Sequence, residues 1–244
     1  MTQHSRNVGA RGGGSGKRQQ AGVLTRHRLL DAAEQLFSER GFDGVSMRDI
    51  ALASGVTLAL ANYHFGTKDG LFRAVIERRV PEVSLRRRAA LAKVSPQATG
   101  NDAIRAVLDA LARPWVEMRR QPGGMAYTRL IAREAGDPLE ASRGIVETHL
   151  DPIAREFIAA MVRALPGVPR RRVEWSYHFF IGALLLIMAN PDRVQRLSGS
   201  ACRIDSDTAV VRAIVEFFGD ALAGAPASPS RGKKVPINTT RSRQ

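Results

Sequence analysis

The sequence predicts an all-α protein, with a short helical N-terminal domain followed by a larger helical C-terminal one. Three observations carry this. Apolar residues recur three and four apart in almost every patterned stretch. Ser and Thr stand where helices need caps, with Gly or Pro where they must stop. No segment shows the apolar–polar alternation or the hairpin turns of a half-buried sheet.

The first helix is expected to start at a Thr25 cap, bury Leu29, Ala33, Leu36 and Phe37, and end at Gly41. Ser46 opens a second, with Asp49 at the capping-box position and Ile50 and Ala53 turned inward. Gly55 breaks it. Thr57 caps a third, short helix with Leu60 and Ala61 on its buried side. Thr67 caps a fourth, in which Leu71, Phe72 and Val75 repeat until Pro81 interrupts. Further helices are expected over 101–119, 125–135, 140–165, 170–190 and 207–222, separated by Pro and Gly.

Composition narrows the class of function. The 244 residues, 44% of them hydrophobic, suffice for a substantial core. A single cysteine, Cys202, rules out an internal disulfide framework and fits a reducing compartment. No charged-then-apolar signal opens the chain, and the run Phe179 to Ala189 is short of the roughly 20 residues that span a bilayer. A soluble, cytoplasmic protein without a membrane partner is expected. The net charge of +14 is concentrated at the ends. Residues 1–22 and 223–244 carry nine of those charges and no acid, leaving +5 for the residues between them. Both ends are rich in Gly, Ser, Pro and Arg and read as disordered basic tails. GARGGGSGKR is no phosphate loop, because Arg11 replaces the first Gly and no strand precedes it.

Enzyme chemistry finds no foothold. His4, His27, His64, His149 and His178 show no metal-ligand spacing, Cys202 has no activating motif, and no nucleophile elbow occurs. Neither a metal nor a cofactor is expected.

The chemistry-bearing stretch is VTLALANYHFGTK, residues 56–68. With the helix before it, across Ala53-Ser54-Gly55-Val56, it makes a helix-turn-helix, whose second helix enters the DNA major groove. Val56 and Phe65 are placed to pin that helix on Phe37, Phe42 and Ile50, which leaves Thr57, Leu58, Ala59, Asn62 and Tyr63 outside. Ala59 permits close approach to base edges, Leu58 suits a thymine methyl, and Asn62 can pair bidentately with adenine. Tyr63 and His64 suit phosphate oxygens, as does the helix start at Thr67, where Lys68 adds charge.

Residues 25–72 resemble the DNA-binding domain of the TetR family of bacterial transcriptional regulators, through DAAEQLFSERGF, VSMRDIALASGV and YHFGTKDGLF. More loosely, LIAREAGDP and HLDPIAREF resemble a branch in which NYHFG also occurs. The resemblance implies a helix-turn-helix three-helix domain over 23–66, a fourth helix linking the domains from 67, and a helical ligand-binding and dimerisation domain over 67–222. It implies DNA contacts by Ser46 and Arg48 from the second helix, by Thr57, Leu58, Ala59, Asn62, Tyr63 and His64 from the third, and by Lys68 from the fourth. The commoner pattern of the family has Lys-Gly where this chain has Leu58-Ala59, and an aromatic at Asn62. Members are generally homodimers that leave their DNA operator when a small-molecule effector fills the C-terminal domain.

In WSYHFFIGALLLIMA nearly every side is apolar, so one side is expected on its own domain and the other, with Leu186, on a second subunit. The stripe Val211, Ile214, Phe218 and Leu222 is expected to complete a four-helix dimer interface. Trp115, Met118, Tyr127, Phe157, Met161, Trp175, His178 and Phe179 are candidates for lining an apolar ligand pocket, and Arg129 or Arg133 for an acidic headgroup. The functions left open are a ligand-released dimeric repressor, a DNA-binding activator or architectural protein without effector, and a helical enzyme or binding module with a merely structural hairpin.

Overall fold

Helix caps and buried stripes set the order of elements. The computed structural model describes residues 13–201 and 206–224, and no strand occurs among them. The helices are α1 (Gly13–Arg40), α2 (Met47–Ser54), α3 (Leu58–Phe65), α4 (Lys68–Glu77), α5 (Val80–Leu91), α6 (Asn101–Met118) and α7 (Gly124–Ala135). After them come α8 (Glu140–Arg143), α9 (Ile145–His149), α10 (Asp151–Ala164), α11 (Arg170–Ala189), α12 (Asp192–Leu197) and α13 (Asp207–Ala223). The described residues contain no helix long and apolar enough to cross a membrane.

The N-terminal bundle forms as its caps require. Ser46 and Asp49 make a reciprocal capping box, with Asp49 N–H donating to Ser46 Oγ at 3.1 Å and Ser46 N–H to Asp49 Oδ2 at 2.9 Å. Those bonds from Ser46 hold the Asp49 carboxyl below the ordinary aspartate value. The box is therefore intact at neutral pH and is lost as pH falls through that lowered value. Thr57 and Thr67 cap α3 and α4 through Leu60 N–H and Gly70 N–H. Phe72 meets Phe37 and Phe42 edge-on at the centre, 4.9 and 5.0 Å from the two rings, which stack on each other at 6.1 Å.

The turn of the helix-turn-helix is clamped from outside. Gly55 is left-handed at φ 64°, and Arg28 of α1 donates from Nη2 to the carbonyls of Ser54 (2.5 Å) and Gly55 (3.2 Å). A Cβ on Gly55 would stand 2.7 Å from that same nitrogen. Gly55→Ala is therefore expected to destabilise the protein by about 1–2 kcal/mol from the left-handed backbone alone, with further loss from a displaced Arg28. Urea unfolding checks this; an unchanged midpoint would refute it.

Several expectations are corrected. The α1 helix begins at Gly13, so residues 13–22 are helical rather than disordered, and Thr25 is no cap: its Oγ1 bonds the Ala21 carbonyl within the helix (2.8 Å). Lys17-Arg18-Gln19-Gln20-Ala21 are good helix formers, and a helix already nucleated propagates through them. The rest of the expected tails, 1–12 and 225–244, lies outside the described residues. Ala53 and Leu60 face outward, because the buried sides are Ile50, Ala51 and Ser54 on α2 and Ala61 on α3. Pro81 starts α5 at its first turn, where a missing N–H is harmless. The expected helix over 140–165 is three, broken at Gly144 (φ 61°) and at Pro152, which begins α10.

The C-terminal helices pack around α6, whose inner residues Ile104, Val107, Leu108 and Leu111 meet α13, α5 and α10. Helix α7 lies between α1 and α11 and touches both. Two arginine clusters weld the N-terminal bundle to this body. Glu34 of α1, 3% exposed, accepts from Arg78 at 2.8 Å and from Arg79 at 2.9 and 2.8 Å, while Arg79 also donates to the Pro122 carbonyl (2.8 Å). Arg143 pairs with Glu134 and Asp137 and lies over the rings of Phe42 and Phe72 at 5.2 and 5.9 Å.

Candidate nucleic-acid interface

The outer face of the helix-turn-helix is assembled by default: whatever does not pin α3 to the bundle is left in solvent. Ala61 is fully buried, and Val56 and Phe65 pack on the core, which fixes the roll of the helix. Leu58, Ala59 and Asn62 then stand exposed in a row, with Tyr63 beside them at 81% exposure. A tyrosine that far out adds nothing to the buried core. His64 is half-buried, its ring between those of Tyr63 (5.5 Å) and Phe65 (6.2 Å).

Thr57 is exposed, but its hydroxyl is engaged as the α3 cap, and the Ser46 hydroxyl is likewise held by Asp49, donating to Oδ2 at 2.6 Å. Arg48 is exposed on α2. Lys68 sits on the first turn of α4, half-buried, with Nζ donating to the Phe42 carbonyl (3.2 Å) and lying 4.1 Å over the Phe42 ring. Its charge thus both braces the bundle and marks the start of α4. Sequence reasoning missed Arg26 and Arg28. Arg26 lies 5.2 Å over Phe65 at the edge of α3, and Arg28 clamps the turn. Their position on α1, three residues and one residue before Leu29, the first buried leucine, was the available signal.

The pocket candidates do not come together. Trp115, Met118, Tyr127, Phe157 and Met161 are buried, with Trp115 stacked on Tyr127 at 6.0 Å. Trp175, His178 and Phe179 are instead exposed on the opposite side of α11. Arg129 and Arg133 are exposed beside a groove of about 700 Å3 between α1, α7 and α11.

The expected dimer stripe divides as well. Val211, Ile214 and Leu222 are buried, because that face of α13 packs on α6 within the same chain, and Phe218 is half-buried against Phe180 (5.3 Å). The exposed apolar face consists of Trp175, Phe179 and Leu186 on α11, with Phe217 of α13 at 70% exposure. Leu186 is thus the one residue of the expected set that faces outward.

Capped turns, a clamped glycine and a recognition helix bare on one side define a helix-turn-helix protein of the transcription-regulator class. Residues 29–75 match the family model described as bacterial regulatory proteins, tetR family, and residues 109–219 match the tetracyclin repressor-like C-terminal domain. The chain belongs to the TetR family of bacterial transcriptional regulators. It is 29% identical over 128 residues to the probable HTH-type transcriptional regulator YttP of Bacillus subtilis, a match covering 52% of this chain and 58% of that one. It is 42% identical over 74 residues to the regulatory protein RaaS of Mycobacterium tuberculosis, covering 30% and 34%. The chain therefore spans little more than half, or a third, of the length of these relatives. In fold it is similar to the fatty acid degradation regulator FadR of Bacillus halodurans, with TM-score 0.60 and 13% identity, over 81% of this chain and 96% of that one. These relatives are regulators, not enzymes.

Proposed function

We propose that the chain is a cytoplasmic, homodimeric repressor that holds a palindromic DNA operator and leaves it when a small, largely apolar ligand enters the C-terminal helices. Residues 23–66 read the DNA, α4 from residue 67 links the two functions, and residues up to 222 bind the ligand and the second subunit. The observation that carries this is the bare row Leu58, Ala59, Asn62 and Tyr63 on a helix held to the bundle through Ala61, Val56 and Phe65. The row combines a small residue, an apolar one, an amide and a phenol, which suits base edges flanked by phosphates.

The dimer is supported by the apolar face of α11 and α13, where Trp175, Phe179, Leu186 and Phe217 are uncovered in a single chain. Two copies joined there would present two recognition helices, which must stand about 34 Å apart, or a multiple of that, to enter successive major grooves. A ligand that favours a different spacing releases the DNA, to the extent that it binds that state more tightly. Operator DNA must then weaken ligand binding by the same factor.

Binding-site selection with the purified protein should return a palindrome. Asn62→Ala is expected to lose roughly 1–3 kcal/mol on that operator and much less on random DNA. Lys68→Ala is expected to weaken both alike and to reduce the salt slope by about 1 per site. Equal losses on both DNAs for Asn62→Ala would remove it as a base reader.

A further inference from the structure

The groove beside Arg129 and Arg133 is walled by three helices with different duties. It is lined by Ser38 and Glu39 near the end of α1, by α7 from Arg129 to Ala135, and by α11 from Gly182 to Ala189. Its volume of about 700 Å3 falls within the range of ligand cavities, about 300 to 1,000 Å3. Along α7 the lining runs for six residues, about 9 Å. The side chains on it are mostly small, Ala132 and Ala135 on one wall and Gly182 and Ala189 on the other, with Leu185 and Leu186 beside them. A Cβ on Gly182 would meet nothing within 4 Å. Glycine weakens a helix interior, and no close packing within the chain calls for it at this position.

The charges of this groove are unmatched. Arg129 and Arg133 stand four residues apart, so both lie on one face of α7, where like charges repel. Among the described residues Arg129 has no ion pair or hydrogen bond, and Arg133 has only the Glu39 carbonyl, to which Nη2 donates at 3.1 Å. Glu39, the one acid among the lining residues, accepts from Gln35 instead. Two unanswered guanidiniums beside a small-residue apolar wall complement a carboxylate on an apolar body. The Arg133 bond also gives the groove a hold on the N-terminal bundle. The Glu39 carbonyl is among the last four of α1, which that helix leaves without a partner, so Arg133 caps α1 from α7. A carboxylate is a stronger acceptor for a guanidinium than a carbonyl is. An anion seated on the two arginines therefore draws Arg133 off the end of α1.

We propose that this groove is the effector site and takes a small apolar monocarboxylic acid, its carboxylate held by Arg129 and Arg133 and its body lying between α7 and α11. Leu186 belongs to the exposed apolar face of α11, so assembly there brings a second copy to the edge of the groove. The proposal rests on the ligand-released reading above and gives it a place, a chemistry and a trigger in Arg133.

The test is calorimetry on the full chain with octanoate and 4-phenylbutyrate, each beside its neutral amide, with operator titrations in parallel. The wild type is expected to bind at least one acid about ten-fold or more tightly than its amide. Arg129→Met, an exposed substitution outside the core, is expected to bring that ratio to about one with the melting temperature unchanged. Arg129→Lys, which keeps the charge but not the fork, should retain part of it. Arg133→Met should lower the ratio and, without ligand, weaken operator binding several-fold, because the α1 cap is lost. Arg163→Met serves as control. That exposed arginine lines a separate groove of about 330 Å3 between α5, α6 and α10, and its loss should leave the ratio intact. Binding of neither acid, a ratio that survives Arg129→Met, or one abolished by Arg163→Met overturns the proposal. Release of operator by a compound whose affinity ignores Arg129 would do the same while leaving the ligand-released reading standing. Arg129-dependent binding that leaves operator affinity unchanged would uphold the groove as an acid site and overturn the ligand-released reading instead.

Discussion

Glu34→Ala is expected to lower the free energy of unfolding by about 3–5 kcal/mol, because it takes the buried acid from two arginines at a junction with little access to water, leaving Arg78 only the exposed Asp31 and Arg79 only the Pro122 carbonyl. Glu34 accepts three hydrogen bonds from Arg78 and Arg79, and it holds the Arg79 guanidinium above its ordinary value. Gly123, at φ 71°, passes so close that a Cβ there would meet both Glu34 and Arg79. The junction therefore has no slack for repacking around a missing carboxylate. In a chain of this size each kcal/mol moves the melting temperature by roughly 2–4 °C, so a fall of about 6–20 °C is expected. Arg79→Met on top of Glu34→Leu should recover part of the loss, since it removes the Arg79 charge with its acid and leaves Arg78 to Asp31. Calorimetric melting of Glu34→Ala and of the double variant checks this. A loss below about 1 kcal/mol for Glu34→Ala would mean that the cluster behaves like a solvated surface pair.

Phe179→Glu is expected to yield a folded monomer whose operator affinity is lower by about 10²–10⁴-fold, the factor gained when the second half-site is bound intramolecularly. Phe179 is 58% exposed in the single chain, so the charge can be placed without disturbing the core. Circular dichroism should stay unchanged while sedimentation reports half the mass. Val211→Glu is the contrasting substitution. Val211 is buried against α6 within the chain, so that variant should lose helicity and operator binding together. An undiminished mass for Phe179→Glu would place the second copy elsewhere.

What could be read ahead of the structure follows from how far each interaction reaches along the chain. Caps and the exposed face of α3 were legible because their geometry is local. Ser46 finds Asp49 three residues on, and the roll of α3 follows from Ala61, Val56 and Phe65. Periodicity, by contrast, marks an apolar stripe without saying whose core it enters. The stripe of α13 assigned to a second subunit belongs to α6, and the uncovered aromatic is Phe217, between two stripe positions. Helix α5 was missed for a related reason. Arg86-Arg87-Arg88 reads as a solvated charge run, although the middle residue points inward and only its neighbours are exposed. The start of α1 was misjudged because Thr25 satisfies the rules for a cap equally well when its hydroxyl bonds back into a helix already under way.

Helix α7 has α1 on one side and α11 on the other. For the dimeric repressor proposed above, a genetic selection for loss of repression and one for loss of subunit assembly would ordinarily collect separate alleles. On α7 they should collect the same ones, at inward positions such as Leu130 and Ile131, because no shift of that helix can satisfy one neighbour alone. Second-site suppressors of such alleles should then arise on both α1 and α11, so that the two phenotypes revert together.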